Sequence, residues 1–368
     1  MTASEMITIF TPSYADEAGT NAQNLSVKEI VARLDPARCA VTMLHEGPVD
    51  PRIAARPNTR LLRWSKHGNT LRTVCQILMR VPDVYFFPRE GPLDAAFVTL
   101  RRRLKLKTAI VSYVVSGGLE SGPYAPARVR HIREADAVFA NNNYLGKLLE
   151  EKMGVVPSGT LYDGIDRRYF FPSDSARSAR PDVTVLCAGS YRPYKRMPLV
   201  VREAARWPDV RFRIAGTGEE EQICRNLAKE LALKNVEFLG HLSQTQLGEE
   251  MRCADIFFFP SMLEGHPQVL LQAAGSGLPV VAMRTYRPDC VVGGTTGFLV
   301  DTDADLSVKL SELIRNPELR RTMGQAAVVH AKQFDWDIIA RKWQEAFEQV
   351  VATRRKSYGV RRPREPHL

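Results

Sequence analysis

The stretch PSMLEGHPQVLLQAAGSGLPVV, residues 260–281, decides the fold. The apolar run IFFFP that leads into it, residues 256–260, has the unbroken hydrophobicity of a strand buried on both faces of a parallel sheet. QVLLQAAGSG, residues 268–277, reads as a helix closed by glycine. Between them Glu264 stands on a loop broken by Gly265 and Pro267. Open α/β sheets bind ligands beyond the carboxyl ends of their strands, and a helix amino terminus attracts anions. Strand, acid, loop and helix together suit a site that reads hydroxyl groups and negative charge.

Working outward, the same strand and helix alternation fills the chain. ITIFTPS, AVTML, TRLLRW, DVYFFP, TAIVSYV and AVFAN alternate with amphipathic segments in the first half, which argues for parallel βαβ units. FFPSDSARSARPD, residues 170–182, is rich in Ser, Arg and Pro, lacks apolar periodicity and reads as a linker. The alternation restarts with VTVLCAG, VRFRIAG, VEFLG, IFFFP and LPVVA. A chain of 368 residues with 44% hydrophobic content exceeds the roughly 250–300 residues at which one core stops growing. The expected class is therefore α/β, with two doubly wound parallel-sheet domains at residues 1–172 and 173–335. A terminal helix over 336–352 carries Trp336, Ile339, Trp343, Phe347 and Val350 on one stripe, which needs a surface to cover. Residues 353–368 read as a basic, disordered tail.

Charge and cysteine content narrow the partners. The net charge of +10 is uneven: beyond Thr353 stand six Lys or Arg and one Glu, and RRRLKLK at 101–107 forms a second cationic run. Such runs suit anionic lipid surfaces or polyanions, although solvated helix ends and tails account for them equally simply. Nucleic acid is not expected. The six cysteines are scattered without a CxxC pair and read as reduced thiols. No run approaches the ~20 apolar residues of a membrane span, and the start of the chain lacks the cationic and long apolar regions of a secretion signal, so a cytoplasmic enzyme is expected, with peripheral contact to the inner membrane face as an option.

GSYRPYKRMP, residues 189–198, follows the first strand of the second half and places Arg192, Lys195 and Arg196 ahead of a helix. Cations at a helix start neutralise a diphosphate through charge-assisted hydrogen bonds; a basic surface loop is the plainer alternative. Gln272, eight residues beyond Glu264, offers an amide to a diol. AGTGEEE, residues 215–221, mimics a dinucleotide-binding turn but lacks the third glycine, so a tight strand-to-helix turn suffices. LVDTDADL, residues 299–306, resembles an Asp-x-Asp metal motif, but its acids precede a helix and capping by Asp303 or Asp305 explains them, so no metal is expected. His241 and His266 lie in no metal-ligand spacing.

Taken in order, CAGSYRPYKR, RFRIAGTGEE, NVEFLGHLSQTQLGEEMRCADIFFFPS, EGHPQVLLQAAGSGLPVV and TTGFLV resemble the blocks of the retaining glycosyltransferases of family four. LYDGIDRRYFFP, residues 161–172, is similar to the segment that ends the family's first domain, and FDWDIIARKW to its terminal crossing helix. The resemblance implies the GT-B fold, two Rossmann-like domains facing each other across a cleft, and transfer of a sugar from a UDP- or GDP-sugar to an acceptor hydroxyl on a sugar, glycolipid or small molecule. The nucleotide sugar is a substrate, so no cofactor is implied. By resemblance Lys195 holds the donor diphosphate and Glu264 the sugar. Gly265, His266, Pro267, Gln268 and Val269 surround sugar and phosphate, His241 and Leu242 pass the nucleobase, and Gly19 lets the first domain's backbone approach the phosphates.

The sequence departs from that pattern in four places. Ser190 stands where Arg is usual, so Arg192 or Arg196 must supply the second cation. Gln272 replaces an acid expected at the ribose. Ala18 precedes Gly19 in place of a glycine pair. The histidine often found after TAIVSYV is absent, leaving Ser112, Tyr113 or Ser116. A nucleotide-sugar 2-epimerase of the same fold, which needs no acceptor, and a non-enzymatic anion or nucleic-acid binder driven by the basic tail are the competing functions.

Overall fold

In the computed structural model the described residues are 6–17, 22–64, 70–88, 91–115, 125–173 and 182–359. The chain divides into two compact units, residues 1–162 with 336–368, and residues 163–335.

The first unit is built on a seven-stranded sheet in the order β3-β2-β1-β4-β5-β6-β7. Its strands are β1 Ile7–Tyr14, β2 Cys39–His45, β3 Thr59–Arg63, β4 Val84–Phe86, β5 Ala109–Val114, β6 Ala137–Ala140 and β7 Gly159–Thr160. All pair in parallel. Alternate residues feed two cores: Ile9 points into one with Val41, Phe86 and Trp343, and Phe10 into the other with Leu62, Ile77 and Phe97. Burial on both faces is why the strands are apolar throughout.

The helix Trp336–Gly359 belongs to this unit. Trp343 is fully buried, its ring 4.8 Å from Phe86, 4.9 Å from Tyr113 and 5.3 Å from Phe139. The tryptophan stripe thus covers the sheet, with Val351 in the core and Val350 at its margin. The helix runs past the expected end at 352: Arg354 binds Asp136 at 2.7 Å and Arg355 binds Asp83 at 3.0 Å, so the first part of the expected disordered tail is ordered by carboxylates of its own unit. Residues 360–368 lie outside the described residues.

The second unit carries β8 Thr184–Ala188, β9 Arg211–Ala215, β10 Val236–Gly240, β11 Ile256–Phe259, β12 Val280–Met283 and β13 Gly297–Val300. Their order, β10-β9-β8-β11-β12-β13, is that of a doubly wound nucleotide-binding sheet, with its direction reversing between β8 and β11. The four residues of β11 are all buried. The fold divides after residue 162, ten residues before the expected boundary at 172. Ile165 N bonds Phe334 O, and Arg252 bonds the Tyr169 carbonyl, so 163–172 already packs with the second unit. Composition marks a polar segment; packing sets the boundary.

The cysteines are free, four of them buried. Burial pushes Cys39 up to about 11 and Cys187 to about 12, so both stay protonated at neutral pH.

Candidate active site

The order reversal brings the loop after β8 beside the loop after β11. The chain leaves β8 through Gly189, where a Cβ would lie 3.2 Å from the Met197 side chain. It then tightens into a 3₁₀ turn, Pro193–Lys195, with Lys195 N bonded to Arg192 O at 2.8 Å. The helix Met197–Ala204 starts at once. From β11, Met262 N donates to Tyr194 O at 2.9 Å and stitches the two loops together.

That stitch sets Lys195 against Glu264. Nζ lies 2.5 Å from Oε1, and Ser261 Oγ donates to the same carboxylate oxygen at 2.6 Å. Both charged side chains are largely withdrawn from water, 13% and 12% exposed. The Lys195 ammonium also lies 5.1 Å from the centre of the Phe259 ring, close enough for a cation–π attraction. The helix Gln268–Gly275 begins four residues after Glu264 with Pro267 as its cap, and that cap has no side-chain oxygen to satisfy the first amides.

The glycines of AGTGEEE now have a structural reason. Gly216 and Gly218 have φ of 124° and 152°; a Cβ at Gly216 would sit 1.9 Å from the Gly189 carbonyl oxygen, and one at Gly218 would sit 2.8 Å from Tyr191 N. Backbone bonds from Gly189 N to Ala215 O, Tyr191 N to Thr217 O and Gly216 N to Gly240 O join the loops of β8, β9 and β10. The turn supports the Lys195 loop.

The remaining residues named from sequence divide. Arg196 does not reach the pair; it binds Asp303 at the start of the helix Asp303–Arg315. Arg192 is exposed, with no partner among the described residues, and is left as the second cation. Ser190 is exposed at the loop start. His241 is exposed and Leu242 half-buried just beyond β10, at the same sheet edge but two strands from β8. Gly265 and Gln268 are half-buried, as is Val269, while Pro267 is buried. His266 is buried with its ring 5.6 Å from Phe334, which assigns its side chain to packing; burial pushes its pKa down to about 3. The Gln272 side-chain amide oxygen, Oε1, is buried without a hydrogen-bond partner among the described residues. Asp303 and Asp305 occupy a first helical turn whose cap is Thr302, accepting from Asp305 N at 3.2 Å, so the cap lies one residue before the acids. Gly19 and Ser116 lie outside the described residues. Ser112 and Tyr113 are buried in β5.

Sequence reasoning missed Ser261 and Tyr286. Ser261 lies three residues before Glu264, a spacing that could have flagged it. Tyr286 sits beyond β12, fully enclosed, its hydroxyl without a partner among the described residues. Burial, then the Glu264 charge, push its pKa well up. Only the strand order reveals that neighbourhood.

The family model for glycosyl transferases group 1 matches residues 173–329. The chain is 30% identical over 260 residues to a D-inositol 3-phosphate glycosyltransferase of Kribbella flavida, a match spanning 63% of this chain and 61% of that relative. Sucrose-phosphate synthase from Thermosynechococcus elongatus superposes with a TM-score of 0.79 at 18% identity, covering 95% of this chain and 100% of that one. Anabaena HepE, solved with UDP and glucose, superposes with a TM-score of 0.74 at 16% identity, covering 93% and 100%. The two-sheet architecture is thus that of the GT-B fold, and the unit that holds Lys195 and Glu264 is similar in sequence to the group 1 glycosyl transferases.

Proposed function

We propose that the chain is a retaining glycosyltransferase that moves a sugar from a UDP- or GDP-sugar to an acceptor hydroxyl in polysaccharide or glycoconjugate synthesis. The observation that carries this reading is the Lys195–Glu264 pair at the point where the second sheet reverses. The names of the relatives support it: one is named a D-inositol 3-phosphate glycosyltransferase, and a structural neighbour was solved with UDP and glucose.

In this reading the two charges serve different parts of the donor. A lysine ammonium has three protons to donate, so Lys195 keeps one bond to Glu264 while turning others to the diphosphate. Breaking the bond between the anomeric carbon and the phosphate oxygen builds negative charge on the leaving diphosphate, and a preplaced cation aimed at that charge is usually the largest catalytic contribution. Arg192 supplies a second cation and Glu264 accepts from sugar hydroxyls. The acceptor oxygen bonds to the anomeric carbon on the face that the leaving group vacates, and its proton passes to the departing phosphate oxygen. Asp303 and Asp305 are engaged by Arg196 and Thr302, which supports transfer without a metal held by those acids.

Because Lys195 keeps its bond to Glu264, substrate binding leaves neither charge buried and unpaired. Desolvation of two charges roughly cancels their attraction in a largely buried pair, so Lys195 and Glu264 contribute little net to folding while intact.

The test is incubation with UDP- and GDP-sugars and candidate acceptors, followed by NMR of the new glycosidic linkage. Transfer with the donor's anomeric configuration supports the reading; an inverted product rejects it. Epimerised nucleotide sugar formed from donor alone would assign the fold's other chemistry.

A further inference from the structure

The seven-stranded sheet has a second edge, at the amino ends of its strands, that donor chemistry does not use. β4 and β5 are parallel neighbours with Val84 opposite Ala109, so the turns leading into them, 79–83 and 104–108, lie side by side there. Met79, Val81 and Leu104 project from these turns, 72%, 42% and 55% exposed. Around them stand Arg80, Arg102, Arg103, Lys105 and Lys107, all exposed and none with a carboxylate partner among the described residues. Two acids at this edge are already neutralised, Asp136 by Arg101 and Arg354 and Asp83 by Arg355.

A cavity of about 470 Å³ at the same edge is lined in part by Thr8, Thr42, Arg60 and Arg80, and Arg60 too is without an acidic partner among the described residues. Cations in the last turn of the helix Pro92–Arg103 complement its dipole, but that accounts neither for Lys105 and Lys107 beyond its end nor for aliphatic side chains held in water. Interleaved cations and aliphatic groups fit a surface that is anionic outside and apolar beneath, which describes a bilayer. No aromatic ring stands among these projecting side chains to stack a base, which disfavours single-stranded nucleic acid.

We propose that this edge, with Met79, Val81 and Leu104 set among unpaired cations, is the face on which the chain lies against an anionic bilayer. The proposal is independent of the donor site, because it rests on other residues of another unit.

The experiment is flotation of the full chain with phosphatidylcholine vesicles, with and without phosphatidylglycerol. The wild type should float with the anionic vesicles alone. Lys105→Glu with Lys107→Glu, and separately Met79→Glu with Leu104→Glu, should each lower partitioning on the order of tenfold or more. Their thermal midpoints should hold, since these side chains are exposed. The proposal is overturned if the wild type ignores anionic vesicles, or if it binds them equally in both double variants. It is also overturned if only the Lys variant loses binding while duplex DNA displaces the protein, which would make the edge a general polyanion surface.

Discussion

Lys195 Nζ and Glu264 Oε1 lie 2.5 Å apart although 69 residues separate them in the chain. The contact exists because β8 and β11 are neighbours where the sheet order reverses, and because Tyr194 O ties their loops together. Replacing Lys195 by Ala removes both the cation for the diphosphate and the partner of a largely buried carboxylate. Turnover should fall on the order of 10²-fold or more. Stability should drop by about 1–3 kcal/mol, the cost of leaving a buried polar group unpaired. Adding Glu264→Ala should recover part of the stability and none of the turnover, measured by denaturant unfolding and initial rates.

The two nearby arginines should behave differently. Arg196 is committed to Asp303, whereas Arg192 is exposed and without a partner among the described residues. Arg192→Ala should weaken nucleoside diphosphate binding severalfold and Arg196→Ala should leave it close to wild type. Calorimetric titration checks the ranking; a larger loss in Arg196→Ala refutes the assignment of the second cation.

Gly216 and Gly240 both have positive φ, but only Gly216 is crowded. A Cβ there meets the Gly189 carbonyl oxygen at 1.9 Å, while one at Gly240 meets nothing within 4 Å. Gly240→Ala should therefore cost only about 1 kcal/mol, the ordinary penalty for a left-handed residue. Gly216→Ala must displace the loop that carries Lys195, and should lose both stability and activity. Equal effects from the two substitutions would show that the loops are not locked together.

His266 gives a pH signature. Its pKa falls from 6.5 to about 3 on burial, so below pH 6.5 the unfolded chain takes up a proton that the folded one refuses. The stability contributed by keeping this ring neutral is complete above about pH 6.5 and is lost as pH falls toward 3. At pH 5 the loss is about 2 kcal/mol. His266→Phe should flatten the dependence of unfolding free energy on pH between 5 and 6.5; an unchanged slope places the titration elsewhere.

Trp343 is the centre of the first unit's aromatic cluster, touching Phe86, Tyr113, Phe139 and Phe347. Trp343→Ala should destabilise that unit by about 3–5 kcal/mol. A midpoint unchanged in denaturant would remove the helix Trp336–Gly359 from the core.

Much of this was legible in the sequence because short-range patterns carry it. Unbroken apolar runs such as IFFF announce strands buried on both faces, and a Gly-broken loop before QVLLQAAG announces a strand-to-helix turn. The tryptophan stripe announced a missing partner surface, though not which strands supply it. What sequence could not show depends on three-dimensional neighbourhoods: that Arg196 turns to Asp303, that His266 packs on Phe334, and that Tyr286 lies within the field of Glu264. The domain boundary was misplaced for a related reason. The Ser- and Arg-rich stretch 170–182 reads as the linker, but hydrogen bonds from Ile165 to Phe334 and from Arg252 to Tyr169 hold 163–172 to the second unit.

The central claim is that Lys195 binds phosphate and Glu264 binds sugar in one donor site. Calorimetric titration of UDP and GDP, and of their hexose conjugates, into the wild type, Lys195→Ala and Glu264→Gln tests it most directly. Lys195→Ala should lose tenfold or more in affinity for both the diphosphate and its sugar conjugate, on the order of one charge-assisted hydrogen bond. Glu264→Gln should lose affinity for the conjugate and keep it for the diphosphate. Wild-type affinity for every ligand in both variants would contradict the account.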